Sequence, residues 1–180
     1  TACSSFQVFP NADWKSELSG EGLRQLEARW GSVVLLIVDE VSFIGRAFFA
    51  RMHYRIQQAK RRFFSESGLP PHNFTFGNLS LILVGDFGQL EPIDDWSMCE
   101  KMPSYHDCPK SMYGLWKHQK EGGAHVDTVK EAFMLSNIHR SKGDLWWTES
   151  CLRLRDFECT KEQDWNVWKT HDLTKGSLDK

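Results

Sequence analysis

The sequence predicts an α/β domain, a parallel sheet with helices on both faces. Three observations carry this. Two apolar runs, Val33–Asp39 and Leu79–Gly85, show no polar alternation, as expected of strands covered on both sides. Between them, from about Phe43 to Phe64, the residues Ile44, Phe48, Met52, Ile56, Ala59 and Phe63 recur at helical spacing. A strand, a long helix and a second strand in that order require a crossover, and therefore parallel pairing.

The remaining elements follow along the chain. Residues Thr1 to Leu18 show no clear periodicity, contain Pro10 and read as loop. Ser19 is an N-cap candidate for a short helix whose face is Leu23, Leu26 and Trp30, and Gly31 stands where that helix stops. The far face of the long helix carries Arg46, Arg51, Arg55 and Arg62. The stretch SESGLPPHNFTFGN is a loop by its glycine, proline and asparagine content. From Glu91 to Val126 the text is irregular, with Pro103, Pro109 and the Gly122–Gly123 pair, and admits one short helix around Lys110–His118. Ala132–Leu135 reads as a third short strand and Gly143–Asp156 as a helix carrying Leu145, Thr148, Cys151 and Leu152. Thr160 followed by Gln163 forms a capping box that opens a last helix with Trp165 and Trp168.

Composition narrows the function. The chain has 180 residues, 41% of them apolar and 26% charged, with a net charge of −2. That balance fits a globular domain and argues against wholesale electrostatic binding of nucleic acid, while leaving room for a local basic groove. The run Val33–Val38 is far shorter than the roughly 20 residues a bilayer requires, so no membrane partner is expected. The first residue is Thr1 and no secretory signal opens the chain, so both ends read as cuts within something longer. Cys99, His106 and Cys108 are closely spaced, but no second ligand pair accompanies them as a zinc site requires. The five cysteines read as reduced intracellular thiols.

Both predicted strands end on acids, Asp39–Glu40 and Asp86. Ligands of parallel α/β sheets bind at the carboxyl ends of the strands, so three acids are expected in one cleft. A carboxylate beside a buried strand end needs a partner, and an oxygen-rich edge suits Mg²⁺. Four apolar residues followed by Asp-Glu is the Walker B pattern of nucleotide-hydrolysing sheets, in which the Asp orients Mg²⁺ and the Glu polarises the attacking water. The bland alternative is a pair of solvated acids with Asp39 capping the next turn. In GDFGQLEP, Gln89 stands four residues past the second strand, where an amide can touch a terminal phosphate. In NIHRSKGDLW, Arg140 precedes a helix, either as a phosphate-reaching arginine or as a surface ion pair.

LLIVDEVSFIGR, LILVGDFGQLEP and NIHRSK, in that order, resemble motifs II, III and IV of the Pif-type DNA helicases, RecD-like members of helicase superfamily one that include the Helitron-type helicases. LSGEGLRQLEARWGSV and CLRLRDFECTKEQDW resemble the flanking text of that family, and TACSSF is an echo of its threonine-x-histidine-serine motif. The resemblance covers nearly all of the chain outside about 91–126. It implies a partial RecA-like P-loop NTPase sheet over residues 1–132 and the start of a second RecA-like domain over 133–180. It implies Asp39 for Mg²⁺, Glu40 as catalytic base, Gln89 as γ-phosphate sensor, Arg140 as arginine finger and Ser4 near the DNA backbone. The implied activity is 5′→3′ DNA unwinding driven by ATP and Mg²⁺ on single-stranded and forked DNA, in repair, recombination or telomere maintenance. The implied compartment is the nucleus or, alternatively, the mitochondrion. The implied partner is the remainder of the helicase chain.

Glu91, Ser141 and Cys3 depart from the family's Pro, Gln and His, and no G-x-x-x-x-G-K-[ST] occurs among the 180 residues. Two further readings therefore stand beside the helicase. One is an inactive remnant serving as a DNA-binding module through the basic face of the long helix, the Lys60–Arg62 cluster and stacking aromatics such as Phe87 or Trp96. The other is a nuclease using Asp39, Glu40 and Asp86 as a two-metal cluster.

Overall fold

The computed structural model describes residues 1–8, 17–68, 74–108, 113–135, 139 and 143–170. They fall into two compact units, 1–131 and 132–180.

The first unit is built around one β–α–β crossover. Strand β1 (Leu35–Val38) pairs in parallel with β2 (Ser80–Leu83), with Leu35 opposite Ser80 and Val38 opposite Leu83. The connecting helix α3 (Arg46–Glu66) and helix α2 (Gly20–Trp30) pack on one sheet face. Leu26, Val38, Val41, Phe49, Met52, Ile56, Phe76 and Leu79 form the shared core. Ser19 and Gly31 bound α2 as the sequence predicts, although Ser19 makes no side-chain capping bond.

The sheet departs from expectation in one respect. Leu36 and Val38 face the helices, whereas Leu35, Ile37, Ile82 and Val84 are exposed, Ile37 by 58%. An uninterrupted apolar run marks a strand meant to be buried twice. Among the described residues of this unit, helices cover only one of its faces.

Three further expectations are corrected. The opening loop contains a short helix, α1 (Ala2–Phe6), capped by Thr1, whose hydroxyl accepts from Ser4 N at 3.4 Å. It is tied to α2 by a Phe6–Trp30 ring stack at 4.5 Å and by Trp30 Nε1 donating to Ser5 O at 2.9 Å. Five residues are too few to show a period. The irregular 91–126 stretch contains a 14-residue helix, α4 (Tyr113–Val126), that runs through the Gly122–Gly123 pair and packs along α3. A Cβ on Gly122 would occupy the space of the Arg46 backbone carbonyl, so these glycines permit close helix contact and do not break the helix. The third strand over Ala132–Leu135 is absent. These residues form no regular element, and Phe133, Met134 and Leu135 stand open to solvent.

Helix α3 is buried on most of its circumference from Ala47 to Lys60, because it packs against α2, α4 and the 95–100 loop. The expected apolar stripe is therefore only part of its contact surface. Phe63 is 57% exposed while Phe64, Arg55, Gln58 and Lys60 are buried. At the α3–α4 seam the rings of His53 and His125 lie 3.8 Å apart, and Phe76 N donates to His53 Nδ1 at 2.8 Å. Burial and the neighbouring His125 push His53 down to about 3. The unfolded chain takes up this proton below about pH 6.5 while the folded chain refuses it. Stability is thus expected to fall from neutral pH downward, by about 1.4 kcal/mol per unit from this residue. Urea unfolding at about pH 7.5 and about pH 5.5 checks this. A His53→Gln chain should lose less stability across that interval than the parent sequence, and an equal loss would contradict the assignment.

The second unit is organised on one carboxylate. Helix α5 (Leu145–Arg155) is capped by Asp144, which accepts from Trp147 N at 2.9 Å. A π-helical turn (Lys161–Trp165) follows and leads into α6 (Asn166–Thr170). Thr160 Oγ1 accepts from Gln163 N at 3.1 Å, as the capping pattern predicts. The buried Asp164 joins the turn to α5, accepting from Ser150 Oγ at 2.7 Å, Arg153 Nη2 at 2.8 Å and Thr160 N at 3.0 Å. Hydrogen bonds from Arg153 and Ser150 hold this carboxyl far below the usual carboxylate range.

Candidate functional site

The carboxyl ends of β1 and β2 are joined beyond the ladder itself. Val84 N donates to Val38 O at 2.8 Å, and Val41 N returns to Val84 O at 2.9 Å. Between these two bonds the chain makes the turn that holds Asp39 and Glu40. Asp39 Oδ1 accepts from Glu40 N at 2.9 Å, which fixes the carboxylate against its own backbone. Glu40 takes a left-handed conformation, φ 53°, sparsely populated by non-glycine residues and a recurrent feature of working sites. A short 3₁₀ turn (Val41–Phe43) then leads to α3. Both Asp39 and Glu40 are exposed.

The second strand end lies against this turn. A Cβ on Gly85 would come within 2.8 Å of Val41 N, so the two backbones meet there. Asp86 Oδ1 accepts from Gly88 N at 2.9 Å, and Gln89 N donates to Asp86 O at 3.0 Å, which closes a tight loop with Gln89 exposed on it. Asp39–Glu40 and Gln89 thus stand on two abutting loops at one edge of the sheet.

This geometry corrects the expected three-acid cleft. Among the described residues, no group of three or more His, Cys, Asp or Glu side chains could hold a metal ion. The Asp86 carboxylate is turned to its own loop, and the cluster a two-metal nuclease requires is not formed. Cys99, His106 and Cys108 likewise assemble no metal site, and both cysteines are free. A single exposed carboxylate with one oxygen oriented by a backbone N–H does suit Mg²⁺ that keeps most of its waters and takes other ligands from substrate phosphates. Asp39, exposed and with Oδ1 on Glu40 N, could hold such an ion.

The basic face of α3 is corrected as well. Arg46 points inward, its Nε donating to Ser97 O at 2.9 Å and its Nη2 to Met98 O at 3.1 Å and to Glu100 O. Arg55 is buried and donates to Gln58 Oε1 at 3.0 Å. Lys60 is buried with Nζ on Val33 O at 2.6 Å, Arg61 pairs with Glu17 at 2.8 Å, and Arg62 pairs with Glu66 at 3.0 Å. Arg46, Arg55 and Lys60 are thus engaged inside the domain, whereas Arg61 and Arg62 stay at the surface in exposed ion pairs. Trp96 is half-buried, and Phe87 stays largely exposed.

Ser4 is exposed, and its carbonyl accepts from Arg29 Nη1 at 3.0 Å, which anchors α1 to α2. Arg140 lies outside the described residues.

Asp95 is a site residue that no local sequence pattern marks. Its carboxylate accepts from Ala47 N at 2.9 Å, Phe48 N at 3.2 Å, Trp96 N at 2.9 Å and Gln119 Nε2 at 3.1 Å. It therefore caps α3, whose own N-cap position, Gly45, has no side chain to do so. A helix start with no local cap was the available signal, but its partner lies 48 residues away. Burial pushes the Asp95 carboxyl up, against the hydrogen bonds from Gln119 and the backbone that pull it down.

No protein-family model and no solved structure matches the chain. Over 127 residues, 71% of the chain, it is 26% identical to the "ATP-dependent DNA helicase PIF1" of Saccharomyces cerevisiae (strain YJM789). The matched part of the chain spans 12% of that protein's length. The relationship is a distant likeness to a helicase. Among the described residues, no helix is long and apolar enough to cross a membrane.

Proposed function

We propose that the chain is the segment from Walker B to motif IV of an ATP-dependent DNA helicase that moves 5′→3′ on single-stranded DNA and separates forked DNA. The observation that carries this is the pair of abutting strand ends, one bearing Asp39–Glu40 and the other Gln89. The distant likeness to a yeast DNA helicase supports it.

In this reading Asp39 would hold Mg²⁺, and Glu40 would accept the proton of the attacking water. Gln89 hydrogen-bonds the terminal phosphate and, by losing that partner after hydrolysis, passes the nucleotide state to the DNA grip. Bound Mg²⁺ supplies charge neutralisation on the phosphate oxygens. Arg140 is assigned the arginine-finger role, and Ser4 a contact to the DNA backbone, on motif order alone. The two units would belong to two RecA-like domains, and the parent protein would serve repair, recombination or telomere maintenance in the nucleus or the mitochondrion.

The sequence holds no phosphate-cradling G-x-x-x-x-G-K-[ST], so nothing in these residues supplies the backbone nest and lysine that grip the phosphates. The isolated chain is expected to show ATP turnover at the level of buffer alone, with or without single-stranded DNA. A phosphate-release assay checks this. Turnover by the isolated chain that disappears in Glu40→Gln would contradict the need for a separate phosphate cradle.

A further inference from the structure

The loop that carries Gln89 continues directly into Asp95, and the turn that carries Glu40 continues directly into α3. These two continuations meet. The Asp95 carboxylate binds the first free amides of α3, at Ala47 and Phe48, and also takes the Gln119 amide of α4. The fit is close enough that a Cβ on Gly45 would occupy the space of the carboxylate. Arg46 reinforces the junction by donating to the carbonyls of Ser97 and Met98, and Arg46 N itself donates to Trp96 O at 3.0 Å. Only five residues separate Gln89 from Asp95, and five separate Glu40 from Arg46. No other described carboxylate connects the two loops to one helix end.

We propose that Asp95 is a positioning residue that locks the Glu40 turn and the Gln89 loop into one frame through the N-terminus of α3, and links that frame to α4. The inference rests on the nucleotide-site reading given above. When Gln89 shifts as its phosphate partner changes, the strain reaches α3 through Asp95, and the 113–126 helix moves with it. A carboxylate suits this role because charge-assisted bonds to a helix N-terminus are strong, directional and breakable as a unit.

The test uses Asp95→Asn, which keeps the shape and removes the charge. A second variant, Gly45→Ala, displaces the carboxylate and leaves its chemistry intact. Ile56→Val serves as a control that loosens the core away from both loops. In the full-length helicase, both junction variants are expected to lower DNA-stimulated kcat by about 10- to 100-fold with the KM for ATP within about twofold. The control should leave both constants unchanged. In the 180-residue chain, hydrogen exchange should accelerate together at the amides of 44–49 and of 86–91 in the junction variants. Faster exchange confined to 44–49 would overturn the proposal, as would a kcat loss matched by the control. A full-length protein without any ATP turnover would overturn the nucleotide reading and the catalytic half of this proposal with it, while the exchange data would still decide whether Asp95 couples the loops.

Discussion

In the full-length protein, Glu40→Gln is expected to lower DNA-stimulated ATP turnover by about 10²- to 10⁴-fold, the range removed when a general base is lost. ATP binding should be retained, because the phosphates are gripped by other groups. Folding stability should change by less than about 0.5 kcal/mol, since the Glu40 side chain is exposed and glutamine is its isostere. The selectivity of the effect matters as much as its size. A variant that loses turnover, keeps nucleotide affinity and unfolds at the same urea concentration has lost chemistry alone. Steady-state kinetics, nucleotide titration and urea unfolding on one preparation separate these outcomes. Turnover within about threefold of the parent protein would remove Glu40 from the reaction.

Gly122→Val is expected to destabilise the isolated chain by about 3 kcal/mol or more. The new side chain would meet the Arg46 backbone carbonyl, and a backbone atom cannot rotate away as a side chain can. Relief requires α4 to lift from α3. Lifting strains the Gln119–Asp95 bond and the Arg46 bonds to Ser97 and Met98, leaving buried polar groups short of partners at about 1–3 kcal/mol each. Gly143→Ala is the matched control, because a Cβ there meets nothing within 4 Å. Urea midpoints of the two variants, measured side by side, check the prediction. A loss below about 1 kcal/mol for Gly122→Val would mean that α4 does not pack tightly on α3 at this seam.

The crossover was legible because its signals are local. Apolar runs of strand length and a helical period between them need no knowledge of the rest of the chain. The positions of Asp39, Glu40 and Gln89 at strand ends follow from the same signals. What the sequence hid was relational. Arg46 and Arg55 look like part of a solvated face with Arg62, but Arg46 bonds the 97–100 carbonyls and Arg55 is buried beside Gln58, and only tertiary structure reveals that cover. Gly122–Gly123 signals a break by propensity, but the close approach of a second helix reverses its meaning. Asp95 does its work 48 residues from its sequence position, where no local pattern points. The apolar runs predict two buried faces, yet Leu35, Ile37 and Ile82 are exposed, because among the described residues nothing covers the second face and periodicity cannot say which chain segment covers a face. Phe133–Leu135 has strand composition but, among the described residues, pairs with no strand, so propensity alone does not make it one.

A nucleotide site at the joined strand ends would place a terminal phosphate beside both loops. The most direct measurement is photo-crosslinking of the full-length protein with an ATP analogue that is photoreactive at its terminal phosphate, in the presence of Mg²⁺, followed by peptide mass mapping. Adducts are expected within 39–43 and 86–92, lost on competition with ATP and reduced by Asp39→Asn. Competable adducts that map elsewhere and spare both loops would contradict that placement.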